Sequence, residues 1–275
     1  MNSFDKCKFC SGQIRPINSR HNLVLCVDCG LIFCKDIFTD TQIKDTYDHL
    51  YNKSTKYQPY QTQFNRLAKR DLFRLGWPKR KVIRHILGQK VNDVCEVGAG
   101  IGMVGVYLKK RNLTYLGIEM DSATAEKASS LGIDVRAGSF TQLAAYSEKF
   151  DVILGFEVIE HIQELRDFFT IVSKSLKTGG LLGFSVPSYN KVLNYPMDKD
   201  RLHQDGPPIH VNFFTLQNLT SILQLAGFEI RFLETKGRPY FNFKKLDTYR
   251  FILKALVGKY HGPTIIGVAE KSRLL

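Results

Sequence analysis

The sequence lacks the features that mark membrane-spanning, secreted or disordered chains. No run of about 18 apolar residues occurs, and the first ten residues contain no apolar signal-peptide core. Hydrophobic residues make up 44% and charged residues 24% of the 275 residues, which excludes wholesale disorder. Six cysteines are too few for a disulfide-dense scaffold. We therefore expect a cytoplasmic protein whose cysteines are free thiols or metal ligands.

Four of the six cysteines lie within the first 29 residues, in two Cys-x-x-Cys pairs separated by fifteen residues. The pairs are Cys7 with Cys10 and Cys26 with Cys29. This spacing is typical of a tetrahedral zinc site with four thiolate ligands. It predicts a zinc ribbon over residues 1–38 that holds a structural Zn²⁺ ion, with no coordination position left for catalysis. Cys34 lies outside the pattern and is predicted to be a buried thiol.

Downstream of the ribbon, short apolar strands alternate with helical segments. Strands are predicted at residues 93–97, 115–118, 133–136, 151–155, 181–186, 228–233 and 264–269. One long helix is predicted from Val158 to Leu176, and residues 39–90 are predicted to form a helical linker or lid with a helix at 61–76. Alternating strands and helices indicate an α/β fold, with a parallel sheet covered by helices on both faces.

A glycine-rich loop joins the first strand of this series to a helix. Residues 94–102 read Val-Cys-Glu-Val-Gly-Ala-Gly-Ile-Gly, and Glu119 ends the following strand, where a carboxylate can accept hydrogen bonds from ribose hydroxyls. A dinucleotide site would place glycine or alanine at position 103, which is methionine. The Glu96 carboxylate would repel a pyrophosphate and attract an ammonium group. The loop therefore favours S-adenosylmethionine over NAD.

Four segments resemble, in order, the successive motifs of class I S-adenosylmethionine-dependent methyltransferases: DVCEVGAGIG, LGIEMD, FDVILGFEVIEHI and LKTGGLLGFSVP. The resemblance covers about residues 91–275. It implies a Rossmann-like seven-stranded sheet whose last strand is antiparallel, methyl transfer as the activity, and cofactor contacts from twelve residues. These are Glu96, Gly98, Ala99, Gly100 and Gly102 around the methionine part, Glu119 at the ribose, Met120, Ser139 and Phe140 near the adenine, and Phe156, Glu157 and Val158 near the sulfonium. Ser139 and Phe140 stand where the family often has an aspartate.

The N-terminal segment CVDCGLIFCKDIFTDTQIKDTYDHLY is similar to the opening of small methyltransferases that carry a four-cysteine ribbon. That resemblance implies modification of sugars, lipopolysaccharides or secondary metabolites. Together the two resemblances cover nearly the whole chain, with a methyltransferase domain over 91–275 and insertions at 187–214 and 235–262.

Two histidines are candidate general bases for removing a proton from the methyl acceptor. His161 follows the fourth strand, at the sheet edge where ligands bind in such folds. His210 lies at the end of the insertion 187–214, which resembles the family's variable substrate-binding region. The alternatives are a structural hydrogen bond at a helix start for His161 and a polar contact that orients the next helix for His210.

The formal net charge of +13 is unevenly distributed and raises the expectation of an anionic partner. The surplus is +10 in residues 50–90 and +6 in residues 235–262, whereas residues 91–234 carry −4. The resemblance implies that an Asn/Asp-Pro-Pro-Tyr/Phe motif or a Pro-Cys pair would follow the fourth strand in enzymes that methylate exocyclic base amines or cytosine C5. Neither occurs here, which disfavours these two reactions.

We therefore expect methyl transfer to a small anionic acceptor, such as a sugar on a nucleotide-diphosphate or lipid carrier. An RNA methyltransferase with a zinc module is the alternative, and a methyltransferase-like binding protein without activity is a third. The basic and aromatic insertion 235–262 allows nucleic-acid contact, peripheral membrane contact or a solvated helix face.

Overall fold

The computed structural model describes residues 2–43, 45–46, 75–190, 206–235, 246–258 and 262–272. The part of the chain outside these residues includes positions 61–74 of the predicted helix at 61–76, and positions 191–205, 236–245 and 259–261 of the two insertions.

Within the described residues, eleven strands form two sheets. The strands are β1 (Ile14–Asn18), β2 (Leu23–Cys26), β3 (Ile32–Cys34), β4 (Asp93–Val97), β5 (Thr114–Glu119), β6 (Val135–Ala137), β7 (Phe150–Phe156), β8 (Leu176–Pro187), β9 (Asn212–Phe213), β10 (Phe228–Thr235) and β11 (Thr264–Lys271). The larger sheet has the order β10-β11-β8-β7-β4-β5-β6. Strands β4 to β8 pair in parallel, and β11 is antiparallel to both of its neighbours. The predicted seven-stranded sheet with an antiparallel last strand is confirmed.

Helices cover both faces of this sheet because both faces of its central strands are apolar. The helices are α1 (Trp77–Ile86), α2 (Met103–Lys109), α3 (Ser122–Ser130), α4 (Leu165–Ser175), α5 (Leu216–Leu225) and α6 (Leu246–Leu256). Side chains alternate along a strand, so Val94 of β4 packs in one core cluster with α1 and α2. Cys95 and Val97 belong to the other cluster, together with α4 and α5. The doubly covered sheet agrees with the fold predicted from the strand–helix alternation.

The N-terminal ribbon is joined to the larger domain through a shared sheet. Its strands have the order β1-β2-β3-β9, and β9 comes from the chain just before α5. Asn218 Nδ2 in α5 donates to the Gly30 carbonyl at 3.1 Å. Gln163 exchanges two hydrogen bonds with the backbone of Phe38, at 2.8 and 3.1 Å. The ribbon therefore packs directly against the elements that follow β7.

The long helix predicted from Val158 to Leu176 is wrong in its first turn and a half. The structure has a 3₁₀ turn at Ile159–His161, and α4 begins only at Leu165. Asn212 Nδ2 donates to the Ile159 and Ile162 carbonyls at 2.8 and 2.7 Å, and these oxygens would otherwise accept bonds within a helix. Tertiary hydrogen bonds thus override the helical pattern at the carboxyl end of β7.

Among the described helices, none has the length and apolarity needed to span a bilayer.

Helix α6 lies in the predicted basic insertion and exposes three large apolar side chains beside Arg250 and Lys254. Tyr249, Leu253 and Leu256 are exposed over 51%, 63% and 77% of their surfaces. Contact of this helix with nucleic acid or with a membrane surface stays a prediction.

Candidate functional site

The candidate site lies where the strand order reverses between β4 and β7. From β4 the chain continues to β5 and β6 on one side, and it returns to place β7 on the other side of β4. In open α/β sheets, ligands bind at the carboxyl ends of the strands beside such a switch point. The glycine loop after β4 and residues 157–161 after β7 meet at this point.

Gly98 must be glycine for two independent reasons. Its φ is +67°, a left-handed conformation that side chains disfavour, and a Cβ at this position would lie 2.5 Å from Val158 Cγ2. Gly100 and Gly102 also have positive φ, and Gly102 caps the start of α2. The loop is therefore a narrow cradle in which backbone can approach a ligand closely. Ala99 lies inside it, with its side chain buried.

Glu119 ends β5 with a nearly buried carboxylate, 8% exposed, that is fixed by backbone donors. Gly100 N–H donates to Oε2 at 2.8 Å, and Asp121 N–H donates to Oε1 at 3.1 Å. Burial raises the pKa of Glu119, and these backbone hydrogen bonds oppose the rise. The carboxylate thus stands at the glycine loop, where it can accept from ribose hydroxyls. Met120 follows it and is 64% exposed, available to cover an adenine face.

Glu96 is fully buried and is held by two residues that sequence reasoning did not find. Lys79 Nζ, from α1, lies 3.2 Å from Oε1, and Tyr115 OH donates to Oε2 at 2.6 Å. Burial raises the pKa of Glu96, whereas the Lys79 charge and the Tyr115 hydroxyl lower it. The Lys79 ammonium also lies 4.9 Å from the centre of the Phe156 ring. Nothing local in the sequence connects Lys79 with a strand that begins fourteen residues later.

The residues after β7 form the facing wall. Glu157 is exposed and adopts φ +56°, rare for a residue with a side chain, and its Oε1 accepts from the Ser185 hydroxyl at 2.7 Å. Val158 fills the space left by the absent side chain of Gly98. Backbone in such a rare conformation at a strand end is typical of functional sites.

The two predicted adenine-side residues lie at the start of the 3₁₀ helix Phe140–Ala145. The Ser139 hydroxyl accepts from Thr141 N–H at 3.3 Å and caps this helix. The Phe140 ring packs edge-on against Phe168, with ring centres 5.5 Å apart. Their contacts with a cofactor stay predictions.

The two predicted base candidates lie together, although 49 positions separate them in the sequence. The ring centres of His161 and His210 are 4.7 Å apart, with planes at 70°. His161 Nδ1 lies 2.7 Å from the Ile209 carbonyl oxygen, and its Nε2 lies 3.7 Å from Glu160 Oε1. Glu160 is 1% exposed and was not predicted, although it directly precedes His161. The structure thus gathers two imidazoles and one buried carboxylate beside the switch point.

The four predicted zinc ligands converge on one point. Cys7 Sγ lies 3.7 Å from Cys29 Sγ, and Cys10 Sγ lies 3.4 Å from Cys26 Sγ. All four sulfurs lie within 4.8 Å of one another, close to the separation of about 3.8 Å expected for zinc–sulfur bonds of about 2.3 Å in a tetrahedron. The contact between Cys7 and Cys29 lowers the pKa of Cys7 and raises that of Cys29, as expected when two neighbouring thiols share one proton. The thiols are free, and the cluster can hold zinc.

Cys34 is a buried thiol outside this cluster, as predicted. Its sulfur lies 3.6 Å from the His21 carbonyl oxygen, and burial raises its pKa to about 11. A thiol with so high a pKa is a poor nucleophile and a poor metal ligand near neutral pH.

Comparisons with known proteins agree with this geometry. A family model described as a methyltransferase domain matches residues 60–232. A "Probable S-adenosylmethionine-dependent methyltransferase" of Mycolicibacterium smegmatis is 29% identical over 140 residues, 50% of this chain and 52% of that protein. A "Ubiquinone biosynthesis O-methyltransferase" of Brucella ovis is 30% identical over 151 residues, 49% of this chain and 60% of that protein. The chain thus spans little more than half the length of these curated relatives.

A solved structure of an S-adenosylmethionine-dependent methyltransferase from Archaeoglobus fulgidus is similar to this chain with a TM-score of 0.54. The similar region covers 83% of this chain and 99% of that one, at 15% sequence identity. At this identity the similarity supports the fold alone.

Proposed function

We propose that this chain, which belongs to the methyltransferase domain family, transfers a methyl group from S-adenosylmethionine to a hydroxyl oxygen of a small anionic acceptor. The acceptor class that we propose is a sugar carried on a nucleotide diphosphate or on a lipid. The observation that carries the proposal is the group of His161, His210 and Glu160 beside the glycine loop. A hydroxyl must lose a proton when it is methylated, and this group can promote that loss.

The cofactor, when bound, supplies a methyl group on a positively charged sulfur. The glycine loop fits such a molecule because Gly98, Gly100 and Gly102 have positive φ and no side chains, so the backbone can approach a ligand closely. In this proposal Glu119 accepts from the ribose hydroxyls. The Glu96 carboxylate is buried and its charge is offset by Lys79, so we assign it to holding the strand beneath the loop and not to attracting an ammonium group. The glycine loop and Glu119 then bind and orient the cofactor against Glu157 and Val158.

Two observations support a small anionic acceptor and transfer to oxygen. Helix α1 exposes Arg80 and Arg84, within the strongly basic segment 50–90. The name of the Brucella ovis relative describes an O-methyltransferase. Fixed positive charge attracts a phosphorylated carrier through its long-range field.

The test is methyl transfer from labelled S-adenosylmethionine to a panel of nucleotide sugars, lipid-linked sugars and RNA transcripts. We expect label in a sugar acceptor, with an oxygen-linked methyl group in the product by mass spectrometry. His161→Ala and His210→Ala should each lower kcat by about 10²-fold or more. His85→Ala is the matched control, because His85 lies on α1 and stacks on Phe232 at 5.4 Å, outside the site.

Two results would overturn this function. One is transfer to RNA alone, with a steep loss of RNA binding as salt rises. The other is full turnover in the His210→Ala protein, which would remove the histidine group from the chemistry.

A further inference from the structure

A cluster of three side chains is held in place by backbone contacts: Glu160, His161 and His210. Val211 N–H donates to the Glu160 carbonyl at 2.9 Å, so the residue after His210 is tied to Glu160 itself. The ligand atoms of the three side chains lie within 4.8 Å of one another. Glu160 is buried, and both imidazoles are half-buried.

The tautomer of His161 follows from its short contact with the backbone. A carbonyl oxygen only accepts, so His161 Nδ1, 2.7 Å from the Ile209 oxygen, carries a hydrogen and donates it. In the neutral ring Nε2 then carries a lone pair, and it faces Glu160 Oε1 at 3.7 Å. Two such donors at this separation can both bind one cation.

The separation of these two atoms fits two ligands of one metal ion. A hydrogen bond would bring the two atoms within about 3.2 Å, and the observed 3.7 Å is longer. Two ligands that bind one metal ion at about 2.1 Å lie between about 3.0 Å apart, when at right angles, and about 4.2 Å, when opposite. His210 supplies a third donor, whose ligand atom lies within 4.8 Å of the other two.

We propose that Glu160, His161 and His210 bind a divalent transition-metal ion. The ligand set of two imidazoles and one carboxylate suits zinc, manganese or iron, and it leaves coordination positions open. A histidine ligand usually donates its other ring N–H to a backbone carbonyl, as His161 does to Ile209. This site is separate from the four-cysteine cluster, whose thiolates occupy all four positions of a tetrahedral ion.

The role of the ion rests on the proposed function. The acceptor hydroxyl binds at an open position, its O–H bond breaks, the proton passes to solvent, and the electron pair stays on the oxygen that the cation stabilises. The histidines then act as ligands, and the lowered pKa of the bound hydroxyl replaces a general base.

Metal binding is tested without cofactor or acceptor, so that its result does not depend on the methyl-transfer assay. Full-length protein holding one zinc ion per chain in the ribbon is titrated with Mn²⁺, and free Mn²⁺ is measured by its electron paramagnetic resonance signal. Manganese prefers oxygen and nitrogen donors, so it leaves the thiolate-bound zinc in place. We expect one Mn²⁺ site per chain in the wild type and an affinity lowered more than about 10-fold in Glu160→Gln and His210→Gln.

Glu164→Gln is the matched control, since Glu164 is exposed and lies four positions along the same segment. It should bind Mn²⁺ like the wild type. Because Glu160 is buried, each variant is compared by melting temperature, and His210→Gln keeps the test valid if Glu160→Gln fails to fold. The purified wild-type protein is also analysed for a second zinc ion per chain. If that ion is present and the His210→Gln protein lacks it, the result supports the metal site equally.

Absence of Mn²⁺ binding in the wild type, or equal binding in Glu160→Gln and Glu164→Gln, would overturn the metal site. In that case the 3.7 Å contact is an imidazolium–carboxylate pair, and the proposed methyl transfer can still stand. Binding of Mn²⁺ without transfer to any sugar would instead overturn the proposed acceptor and leave the site intact.

Discussion

Replacing Lys79 with methionine removes the cation that neutralises a fully buried carboxylate. Lys79 is 31% exposed, whereas the Glu96 side chain is 0% exposed, and the two lie 3.2 Å apart. Removing one partner of a buried pair costs about 3–5 kcal/mol, because the other charge stays buried. Since Lys79 is partly solvated, we expect the lower end, about 3 kcal/mol of unfolding free energy at pH 8.

The loss of unfolding free energy caused by Lys79→Met should be smaller at low pH. This pH dependence distinguishes the effect of the lost charge from the effect of lost packing. Burial already raises the pKa of Glu96, so the native state holds this proton more tightly than the unfolded state does. Stability is then present at low pH and falls as pH rises through the folded-state pKa. Lys79→Met raises that pKa further. At pH 5.5 we expect a loss of only about 1 kcal/mol, from the cation–π contact with Phe156 and from packing.

The measurement is urea unfolding of the zinc-bound protein at pH 5.5 and pH 8. Lys81→Met is the matched control: Lys81 lies on the same helix and pairs with Glu234, and both side chains are more than one-third exposed. It should cost less than about 1 kcal/mol, with no dependence on pH. In a Glu96→Gln background the cost of Lys79→Met should also lose its pH dependence. An equal loss at both pH values in the native background would refute the buried-charge argument.

Three further outcomes are expected. Gly98→Ala should abolish the rise in melting temperature that S-adenosylhomocysteine causes, and should lower the free energy of unfolding by about 1–3 kcal/mol. The reasons are that Gly98 has a φ of +67° and that a Cβ there would collide with Val158. An unchanged rise in melting temperature would contradict the assignment of the glycine loop as the cofactor site. Lys177→Met should cost about 1 kcal/mol at pH 7 by urea unfolding. That deficit should vanish as pH falls through the pKa of Asp93, which the Lys177 hydrogen bond lowers; a deficit that persists in acid would mean lost packing. Chelating the ribbon zinc should lower the melting temperature by at least about 5 °C, reversibly on adding zinc, as calorimetry would show.

Local patterns predicted most of the fold. The strand–helix alternation, the positive-φ glycines and the two cysteine pairs are signals contained within about 25 residues each, and the structure confirms the sheet and the clustering of the thiols. The assignment of cofactor contacts to named residues stays a prediction. A motif specifies which backbone approaches a ligand, and it does not specify what else surrounds it.

The parts that sequence reasoning missed depend on contacts between distant segments. Lys79 reaches Glu96 of β4 only because α1 packs against β8 and β11 of the larger sheet. Glu160 was a detectable signal, since a Glu-His pair follows a predicted strand directly, but its relation to His210 required the tertiary structure. The helix start at Leu165 could not be predicted from periodicity, because side chains of other segments bind the carbonyl oxygens ahead of it.

The position of the ribbon connects its predicted zinc site with the histidine group of the larger domain. A four-thiolate ion has no open position, so its contribution must be structural, and β3 of the ribbon pairs with β9 of the larger domain. His210 precedes β9 by two residues, and Asn212 in β9 bonds to the carbonyls of Ile159 and Ile162 on either side of the Glu160–His161 pair. The ribbon therefore supports the strand that brings both halves of the histidine group together. Loss of the ribbon zinc should consequently impair the acceptor side of the site more than the glycine loop, which joins β4 to α2 in the larger domain.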